Sequence, residues 1–413
     1  MNKKILVLGL EQSNFLSYFY SALKKQDSSL IITAPFVKDL NGVKNDTWMY
    51  SNDAVKSKRS YFSIFKAIFY LLFSVHFYKM FCFILFVEGK IPKALHYIHQ
   101  QINSKAFFID NDNFKEYDSF HFHYMQYSYL KEFFFIPKNK MIVCHFWGSD
   151  LLRTNDILNF YIVKKALNNA TIITCQSTEL KEIILSKFGR NLEDKVKIII
   201  FGLDRNMYHA IDNLRENKRA IADFKIKFGY SVDKLNILIG HNGNPLNNHK
   251  KIIKAIEGIK NKNECHLIVN LNYGINSNEI ADYKQSLTEL LDEIKISYTF
   301  LEHYFNKEEL PISRLATDVF VHMPISDALS GTMMEMLYAS TVVITGSWLP
   351  YKTLRNANLV YHELVDFTSL GAIFDAVITD FESKKNKTVL NRENMNNAFL
   401  NDKVVASWTA FLY

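Results

Sequence analysis

The stretch "DVFVHMPISDALSGTMMEMLYASTVVITG" (residues 318–346) has the pattern of a strand, a loop, a helix and a second strand. A short apolar run leads into a polar loop, a Met-rich segment with helical spacing follows, and a second β-branched run ends the stretch. Two strands joined through a helix run parallel in one sheet, because the crossover returns the chain to the same edge. This unit therefore predicts an α/β fold with helices on a parallel sheet.

The same alternation of apolar runs and helical patterns continues on both sides of this unit. The predicted strands are 4–9, 30–35, 119–125, 141–148, 171–177 and 196–202 in the first half, and 235–240, 265–274, 297–302, 318–323 and 341–346 in the second. Apolar runs without polar alternation are typical of strands that are buried on both faces. The sequence therefore predicts doubly wound, Rossmann-like parallel sheets.

A polar, highly charged stretch interrupts this alternation. A chain of 413 residues is long for one hydrophobic core, so two domains are expected. We predict an N-terminal domain over 1–205, a linker over 206–234, a C-terminal domain over 235–395, and a helix over 396–413 that packs back on the first domain. The two domains would face a central cleft at the carboxyl ends of their strands, where ligands bind in such folds.

Composition and charge disfavour several classes of function. The net charge of +7 is modest and no nucleic-acid-binding module is recognisable, so a nucleic-acid partner is not expected. The four cysteines include no CxxC pair, which favours reduced core cysteines in a cytosolic protein. His121 and His123 would share one face of a strand, but no further Cys, His or Asp grouping has the spacing of metal ligands. We therefore expect no bound metal and no cofactor.

Residues 61–87 are the most apolar part of the chain and are rich in Phe and Tyr. Charged residues interrupt the run, so its longest uncharged piece falls short of the roughly 20 residues that span a bilayer. The basic residues Lys56, Lys58, Arg59 and Lys66 lie before and within it. Two interpretations remain open. The segment either packs inside the N-terminal domain, or docks on an anionic membrane with these basic residues as anchors.

The loop of the opening stretch carries groups that suit an anion. If a helix begins after Ser330, the backbone N–H groups of Gly331 and Thr332 lie at its N-terminus, at the positive end of the helix dipole. Gly331 would let a diphosphate approach the backbone closely. Glu335, about one turn later, would accept hydrogen bonds from a ribose, and Asp327 would face a sugar. The plainer alternative is an N-cap and a turn.

A second polar loop follows the first strand of the C-terminal domain. The sequence "ILIGHNGNPLNNHKK" (237–251) places Asn242, Asn248, His249 and Lys250 between a buried strand and a helix. It is neither a Walker loop nor a GxGxxG fingerprint. Amides and a basic group at a helix N-terminus suit a metal-free anion site. The alternative is that the lysines of this loop are simply solvated.

Five segments in chain order resemble GT-B fold glycosyltransferases of the family 4 clan. They are "HFWGSD" (145–150), "CQSTELKEIIL" (175–185), "IIIFGLDRNMY" (198–208), "GHNGNPLNNH" (240–249) and "SDALSGTMMEMLYAS" (326–340). The fourth is similar to the Gly-Asn-Ser…Asn-x-His motif of glycosyltransferase family 56, as are "LIVNLNYG" (267–274), the Gly331-Thr332 pair and "WLPYKTL" (348–354). That family transfers 4-acetamido-4,6-dideoxygalactose from a dTDP donor to a lipid-linked intermediate of enterobacterial common antigen.

The resemblance implies a role for each matching residue. His145 would contact the donor sugar, and Asp150 would be the general base of an inverting enzyme, whereas a retaining enzyme would need none. The donor would be held by residues of the second domain: Asn242, Asn248, His249, Lys250 and Tyr273, with Ser330, Gly331 and Thr332 opposite, Glu335 on the ribose and Asp327 near the sugar. Helix dipoles and basic groups would stabilise the leaving diphosphate without a metal.

The resemblance also implies a function and a location. The chain would be a hexosyl or acetamidodeoxyhexosyl transferase (EC 2.4) that uses a dTDP or UDP sugar. Its acceptor would be a lipid-linked or surface glycan of bacterial polysaccharide synthesis, such as O-antigen, common antigen, capsule or lipopolysaccharide. It would work in the cytoplasm, peripherally on the inner membrane. A catalytically silent GT-B scaffold and a sugar-nucleotide epimerase are the alternatives, and nucleotide binding without turnover would favour the scaffold.

Overall fold

The computed structural model describes residues 3–9, 14–33, 60–110, 115–130, 132–201, 205–399 and 401–412. The chain divides into two units, Met1–Phe201 together with Val404–Tyr413, and Gly202–Lys403. Each unit contains one sheet of six strands, and every pair of neighbouring strands is parallel. The predicted α/β class, with two doubly wound parallel sheets, is therefore confirmed.

The first unit has the strand order β2-β1-β3-β4-β5-β6. Its strands are β1 (Lys4–Gly9), β2 (Ile31–Thr33), β3 (Ser119–His123), β4 (Met141–His145), β5 (Ile172–Cys175) and β6 (Val196–Ile198). Its helices are α1 (Asn14–Gln26), α2 (Tyr61–Leu72), α3 (Val75–Cys82) with a π-helical extension over Phe83–Val87, α4 (Ile91–Asp110), α5 (Ser149–Leu152), α6 (Ile157–Asn169) and α7 (Thr178–Phe188). Short 3-10 turns span Tyr127–Tyr129, Phe133–Phe135 and Arg190–Lys195.

The second unit has the strand order β12-β11-β10-β7-β8-β9. Its strands are β7 (Leu235–Ile239), β8 (Cys265–Asn270), β9 (Ser297–Leu301), β10 (Val319–His322), β11 (Val342–Gly346) and β12 (His362–Leu364). Its helices are α8 (Arg205–Leu214), α9 (Lys218–Phe228), α10 (His249–Ala255), α11 (Ile280–Ile294), α12 (Glu309–Leu315), α13 (Gly331–Tyr338), α14 (Lys352–Asn356), α15 (Leu370–Thr379), α16 (Phe381–Thr388) and α17 (Leu390–Phe399). Turns Pro245–Asn247 and Lys262–Glu264 are 3-10, and α18 (Asn401–Leu412) follows.

The predicted strands lie where the apolar runs placed them, but most end earlier. The run 141–148, for example, stops being a strand after His145, and the N–H groups of Trp147 and Gly148 donate to the Asp150 carboxylate. The short strand β12 was not predicted, since its three residues, His-Glu-Leu, have neither an apolar run nor a clear alternation.

The segment 206–234, for which we predict a linker, is mostly helical in the structure. It forms α8 and α9, which belong to the second unit. The segment is highly charged, but α8 is amphipathic. Its residues Met207, Tyr208 and Ile211 lie on one buried face. Tyr208 also packs edge-on against Tyr338, with ring centroids 4.3 Å apart. A helix with one apolar face is held by tertiary packing even when most of its residues are polar.

The C-terminal residues Val404–Tyr413 belong to the first unit. In α18, the buried side chains of Val404, Val405 and Trp408 pack in the same hydrophobic cluster as Ile5 of β1. The Trp408 indole N–H donates to the backbone carbonyl of Ile200 at 3.0 Å. The polar atom of this large buried ring is therefore satisfied.

The aromatic segment 61–87 forms α2, α3 and the π-helical extension. Its anchors Lys56, Lys58 and Arg59 lie outside the described residues, whereas Lys66 lies on α2. Within the described chain, no single helix is long and apolar enough to cross a bilayer. The pair Tyr61–Leu72 and Val75–Val87 meets that criterion jointly but is bent by 79°.

Candidate functional site

The loop after β7 packs tightly against the start of α10. Gly240 has a φ of +70°, and a Cβ at this position would lie 2.2 Å from Nε2 of His249, so glycine is required here. His249 is fully buried and its Nδ1 lies 3.0 Å from the Tyr283 hydroxyl. Burial lowers the pKa of His249 to about 4, so its imidazole is neutral at physiological pH. Lys250 and Lys251, which follow, are both exposed and place positive charge at this helix start.

Two asparagines connect this loop to its neighbours. The Asn242 side-chain oxygen accepts a hydrogen bond from the Asn247 amide at 2.7 Å, and Asn242 also contacts the Tyr273 hydroxyl. Asn248 has a left-handed backbone, with a φ of 61°, and its amide donates to the Met323 carbonyl at 2.7 Å. The loops after β7, β8 and β10 are thus joined at the carboxyl edge of the second sheet.

The predicted helix N-terminus after β10 is present. Ser330 is the N-cap of α13, and its hydroxyl accepts a hydrogen bond from the Met333 N–H at 3.5 Å. In the part of the chain that the structure describes, the N–H groups of Gly331 and Thr332 have no protein acceptor. Leu329, which precedes the N-cap Ser330, has a φ of 66°, which is strained for a non-glycine residue. Unpaired N–H groups at a strained helix start are an anion-binding arrangement.

Asp327 holds the loop that leads into α13. Its Oδ2 accepts hydrogen bonds from the Ser330 N–H at 3.0 Å and the Tyr351 hydroxyl at 2.5 Å, and lies 3.3 Å from Nε2 of His322. Burial alone would raise the pKa of Asp327, but hydrogen bonding to His322 and Tyr351 and the nearby His241 hold it well below its usual value of 3.8. Asp327 is therefore an ionised loop anchor, and its contact with a sugar stays a prediction.

Replacing Tyr351 with phenylalanine should lower the free energy of unfolding by about 2 kcal/mol at neutral pH, because a buried hydrogen bond to a charged acceptor is lost. The carboxylate of Asp327 has a depressed pKa, so its stabilising contacts are complete above pH 3.8 and weaken as the pH falls toward the folded-state value. Chemical denaturation at pH 7 measures the difference. A loss well below about 1 kcal/mol would contradict a contribution from this hydrogen bond.

Glu335 forms a buried ion pair that the sequence did not indicate. Arg314 of α12 donates to Glu335 Oε2 from Nε at 2.9 Å and from Nη2 at 2.7 Å. The two side chains are 9% and 15% exposed. Burial raises the pKa of Tyr273, and the charges of Arg314 and Glu335 also act on it, so the three side chains share one electrostatic environment. The only hint in the sequence was a single arginine within the apolar pattern of α12.

In the first unit, Asp150 anchors the loop after β4. It is 2% exposed, and it accepts hydrogen bonds from the N–H groups of Met125, Trp147 and Gly148 at 2.7, 2.9 and 2.8 Å. Burial outweighs these hydrogen bonds and raises its pKa to about 6. Both oxygens are thus engaged by backbone groups. The role of Asp150 as a general base stays a prediction, and its contacts are those of a structural residue.

His145 lies in a cluster with His121 and His123, whose candidate ligand atoms are all within 4.8 Å of one another. Burial lowers the pKa of all three, so their imidazoles are neutral. The Tyr20 hydroxyl bonds both His121 Nδ1 and His123 Nε2, and Thr174 bonds His145 Nδ1.

This cluster has the residue types of a metal site but not the ring orientation. The His123 and His145 rings are stacked, with centroids 4.1 Å apart and planes 13° apart. An imidazole lone pair lies in the plane of its ring, so two stacked rings cannot bind one ion without turning. Tyr20 links His121 and His123, whereas Nε2 of His121 and Nε2 of His145 are buried without a hydrogen-bond partner among the described residues. His145 has no exposed surface in the structure, and its contact with a donor sugar stays a prediction.

No protein-family model and no curated protein matches the chain. Several solved structures do. Anabaena HepE with UDP and glucose is 13% identical over 100% of this chain and 99% of its own, with a TM-score of 0.66. A glycosyltransferase from Rickettsia africae is 13% identical over 99% and 97%, at 0.65. The N-terminal domain of Candida albicans trehalose-6-phosphate phosphatase is 12% identical over 100% and 97%, at 0.67. These similarities show the two-domain α/β GT-B fold.

Proposed function

We propose that the chain is a glycosyltransferase (EC 2.4) that binds the diphosphate of a nucleotide-sugar donor at the N-terminus of α13. The observation that carries this proposal is the pair of unpaired N–H groups of Gly331 and Thr332 beside the Asp327 loop. The structural comparisons support it, because HepE was solved with UDP and with UDP-glucose. The sequence resemblance to GT-B glycosyltransferases supports it independently.

The residues around α13 suit the parts of such a donor. Arg314 holds Glu335 Oε2 in place, and the fixed carboxylate would accept hydrogen bonds from the hydroxyls of a ribose. Lys250 and the asparagine-rich loop would contact the phosphates. Positive charge and a helix dipole at the leaving diphosphate stabilise the charge that develops there, so we propose a transfer that requires no metal.

The donor and the acceptor follow from the family resemblance. We propose a dTDP or UDP hexose or acetamidodeoxyhexose as donor. The acceptor would be a lipid-linked or surface glycan of bacterial polysaccharide synthesis, including O-antigen, common antigen, capsule or lipopolysaccharide. We also propose a place on the cytoplasmic face of the inner membrane, where the resemblance puts a lipid-linked acceptor. The exposed aromatic side chains of α2 support contact with an apolar surface.

UDP or dTDP should raise the unfolding temperature, and Thr332→Glu should abolish this effect. A nucleotide at 100 times its Kd stabilises the protein that binds it by about 2.7 kcal/mol. An acidic residue at a helix N-terminus favours the helix itself but repels a diphosphate. Thr332→Gln is the matched neutral control and should keep the nucleotide effect. A thermal-shift panel with UDP, dTDP, GDP and CMP, each with and without EDTA, measures these differences.

Each outcome of this panel has a distinct meaning. A shift with one nucleotide that EDTA leaves unchanged supports the metal-free transferase and selects the donor class. A shift that EDTA removes contradicts the proposal that the transfer requires no metal. If no nucleotide has an effect, or if Thr332→Glu keeps the full shift, the proposed diphosphate site is wrong. A silent GT-B scaffold then becomes the better explanation.

A further inference from the structure

Helix α2 exposes most of its large side chains. Only Ser63, Ala67 and Leu71 are buried, about one residue per turn. The side chains of Tyr61, Phe62, Phe65, Phe69 and Phe73, which we call the aromatic face, are between 58% and 92% exposed. Among the described residues of α3, no side chain is buried. An exposed apolar surface of this extent is typical of an interaction site.

A groove beside the aromatic face contains two positive charges. It lies between α2 and α4, has a volume of about 470 Å³, and is lined by Lys66, Phe69, Tyr70, Phe73, Ser74, Lys105 and Ile109. The Lys105 ammonium lies 3.8 Å from the Tyr70 ring centroid, and the Lys66 ammonium lies 4.1 Å from that of Phe62. None of these described lining residues is a carboxylate.

The two lysines have no counter-ion in the part of the chain that the structure describes. Neither is part of an ion pair, and burial lowers the pKa of Lys105, which shows that its charge is poorly solvated. The two acidic residues of 61–110 are engaged elsewhere, since Glu88 pairs with Lys93 and Asp110 accepts a hydrogen bond from Ser63. An aromatic ring stabilises a cation only in part. An anion bound in the groove would complete the neutralisation.

We propose that the groove binds the phosphate of an anionic membrane lipid between Lys66 and Lys105, with the acyl chains against the aromatic face. This refines the membrane attachment proposed above and rests on it. The two lysines are opposite in charge to a lipid phosphate, and the aromatic side chains suit hydrocarbon, whereas a free phosphate would use only the lysines. Tyrosine and phenylalanine beside lysine are typical of the membrane interface.

Vesicle binding tests the charge requirement. We expect the protein to sediment with vesicles of phosphatidylcholine and phosphatidylglycerol at low ionic strength, and less with phosphatidylcholine alone. Lys66→Gln and Lys105→Gln should each weaken the partition coefficient about five-fold, the effect of one basic residue at an anionic surface. Lys25→Gln, which removes the same charge from an exposed position on α1, is the control and should have a smaller effect. Equal partitioning of the groove variants and this control would overturn the proposal.

Soluble probes distinguish a lipid from a free phosphate. Dihexanoyl phosphatidylglycerol below its micelle concentration should bind the wild type saturably, and the Lys66→Gln/Lys105→Gln variant should lose this binding. Dihexanoyl phosphatidylcholine and glycerol 3-phosphate should bind weakly. If glycerol 3-phosphate binds equally well, the groove is a simple phosphate site and the proposal is wrong.

Nucleotide binding by the groove variants separates this proposal from the proposed function. The variants should keep the thermal shift with UDP or dTDP, since their lysines lie in the first unit and the α13 site in the second. A wild type without any nucleotide shift would contradict the proposed diphosphate site, whereas the vesicle and soluble-lipid experiments would still support or overturn the lipid site.

Discussion

Glu335→Ala should lower the free energy of unfolding by about 3 kcal/mol, because Arg314 would lose its ion-pair partner at a site that is nearly closed to water. Two of the three side-chain nitrogens of Arg314, Nε and Nη2, bind the same carboxylate oxygen, at 2.9 and 2.7 Å. Removing one member of a buried pair leaves the other charge without a partner in a place where water cannot fully solvate it. Urea denaturation at neutral pH measures the change.

An exposed ion pair gives the matched control. Nη1 of Arg190 lies 2.9 Å from Oε2 of Glu182, but the two side chains are 60% and 55% exposed. Glu182→Ala should therefore change the free energy of unfolding by less than about 1 kcal/mol. Similar losses for Glu182→Ala and Glu335→Ala would contradict the argument from burial.

Variants of the Arg314–Glu335 pair can distinguish an effect on stability from an effect on donor binding. The double variant Arg314→Met/Glu335→Leu removes both charges and should recover most of the stability, since apolar residues of similar volume can replace a buried ion pair. It should not recover donor binding. In Glu335→Ala and in the double variant we expect the donor KM to rise more than kcat falls, because a ribose contact contributes to binding before the chemical step. An unchanged KM would count against the ribose role.

Asp150→Ala should be the second strongly destabilising change, with a loss of about 3 kcal/mol at pH 7. Three backbone N–H groups, those of Met125, Trp147 and Gly148, would lose their acceptor inside the first unit. Unpaired buried polar groups cost about 1–3 kcal/mol each, and partial hydration reduces the sum. Asp156→Ala is the control, because this side chain caps α6 at a more exposed position and should cost about 1 kcal/mol.

The loss in Asp150→Ala should grow as the pH is lowered from 7.5 to 4.5. The folded-state pKa of Asp150, about 6, lies above its usual value of 3.8. The folded protein therefore holds this proton more tightly than the unfolded chain, and the stability contributed by Asp150 is full below pH 3.8 and declines as the pH rises through about 6. Denaturation at both pH values tests this. A loss that does not depend on pH would show that Asp150 does not titrate in this range.

Most elements of the fold could be predicted from local pattern. Continuous apolar runs identified β1 to β11, and the Ser330-Gly331-Thr332 step identified the start of α13. These features depend on residues within a few positions of one another. The prediction of a linker over 206–234 depends on its few apolar residues, and only the position of Met207, Tyr208 and Ile211 on one helix face shows that these side chains are buried.

The sequence by itself determined the α/β class, the parallel sheets and the helix N-terminus of the candidate donor site, because strand and helix periodicity are local properties. Only the tertiary structure decided which side chains meet. Glu335 pairs with a residue 21 positions away, and Asp150 accepts a hydrogen bond from a residue 25 positions away. The contact between the Lys105 ammonium and the Tyr70 ring likewise depends on how α4 packs on α2. Burial and hydrogen bonding set the state of each polar group, and both depend on partners that no local pattern specifies.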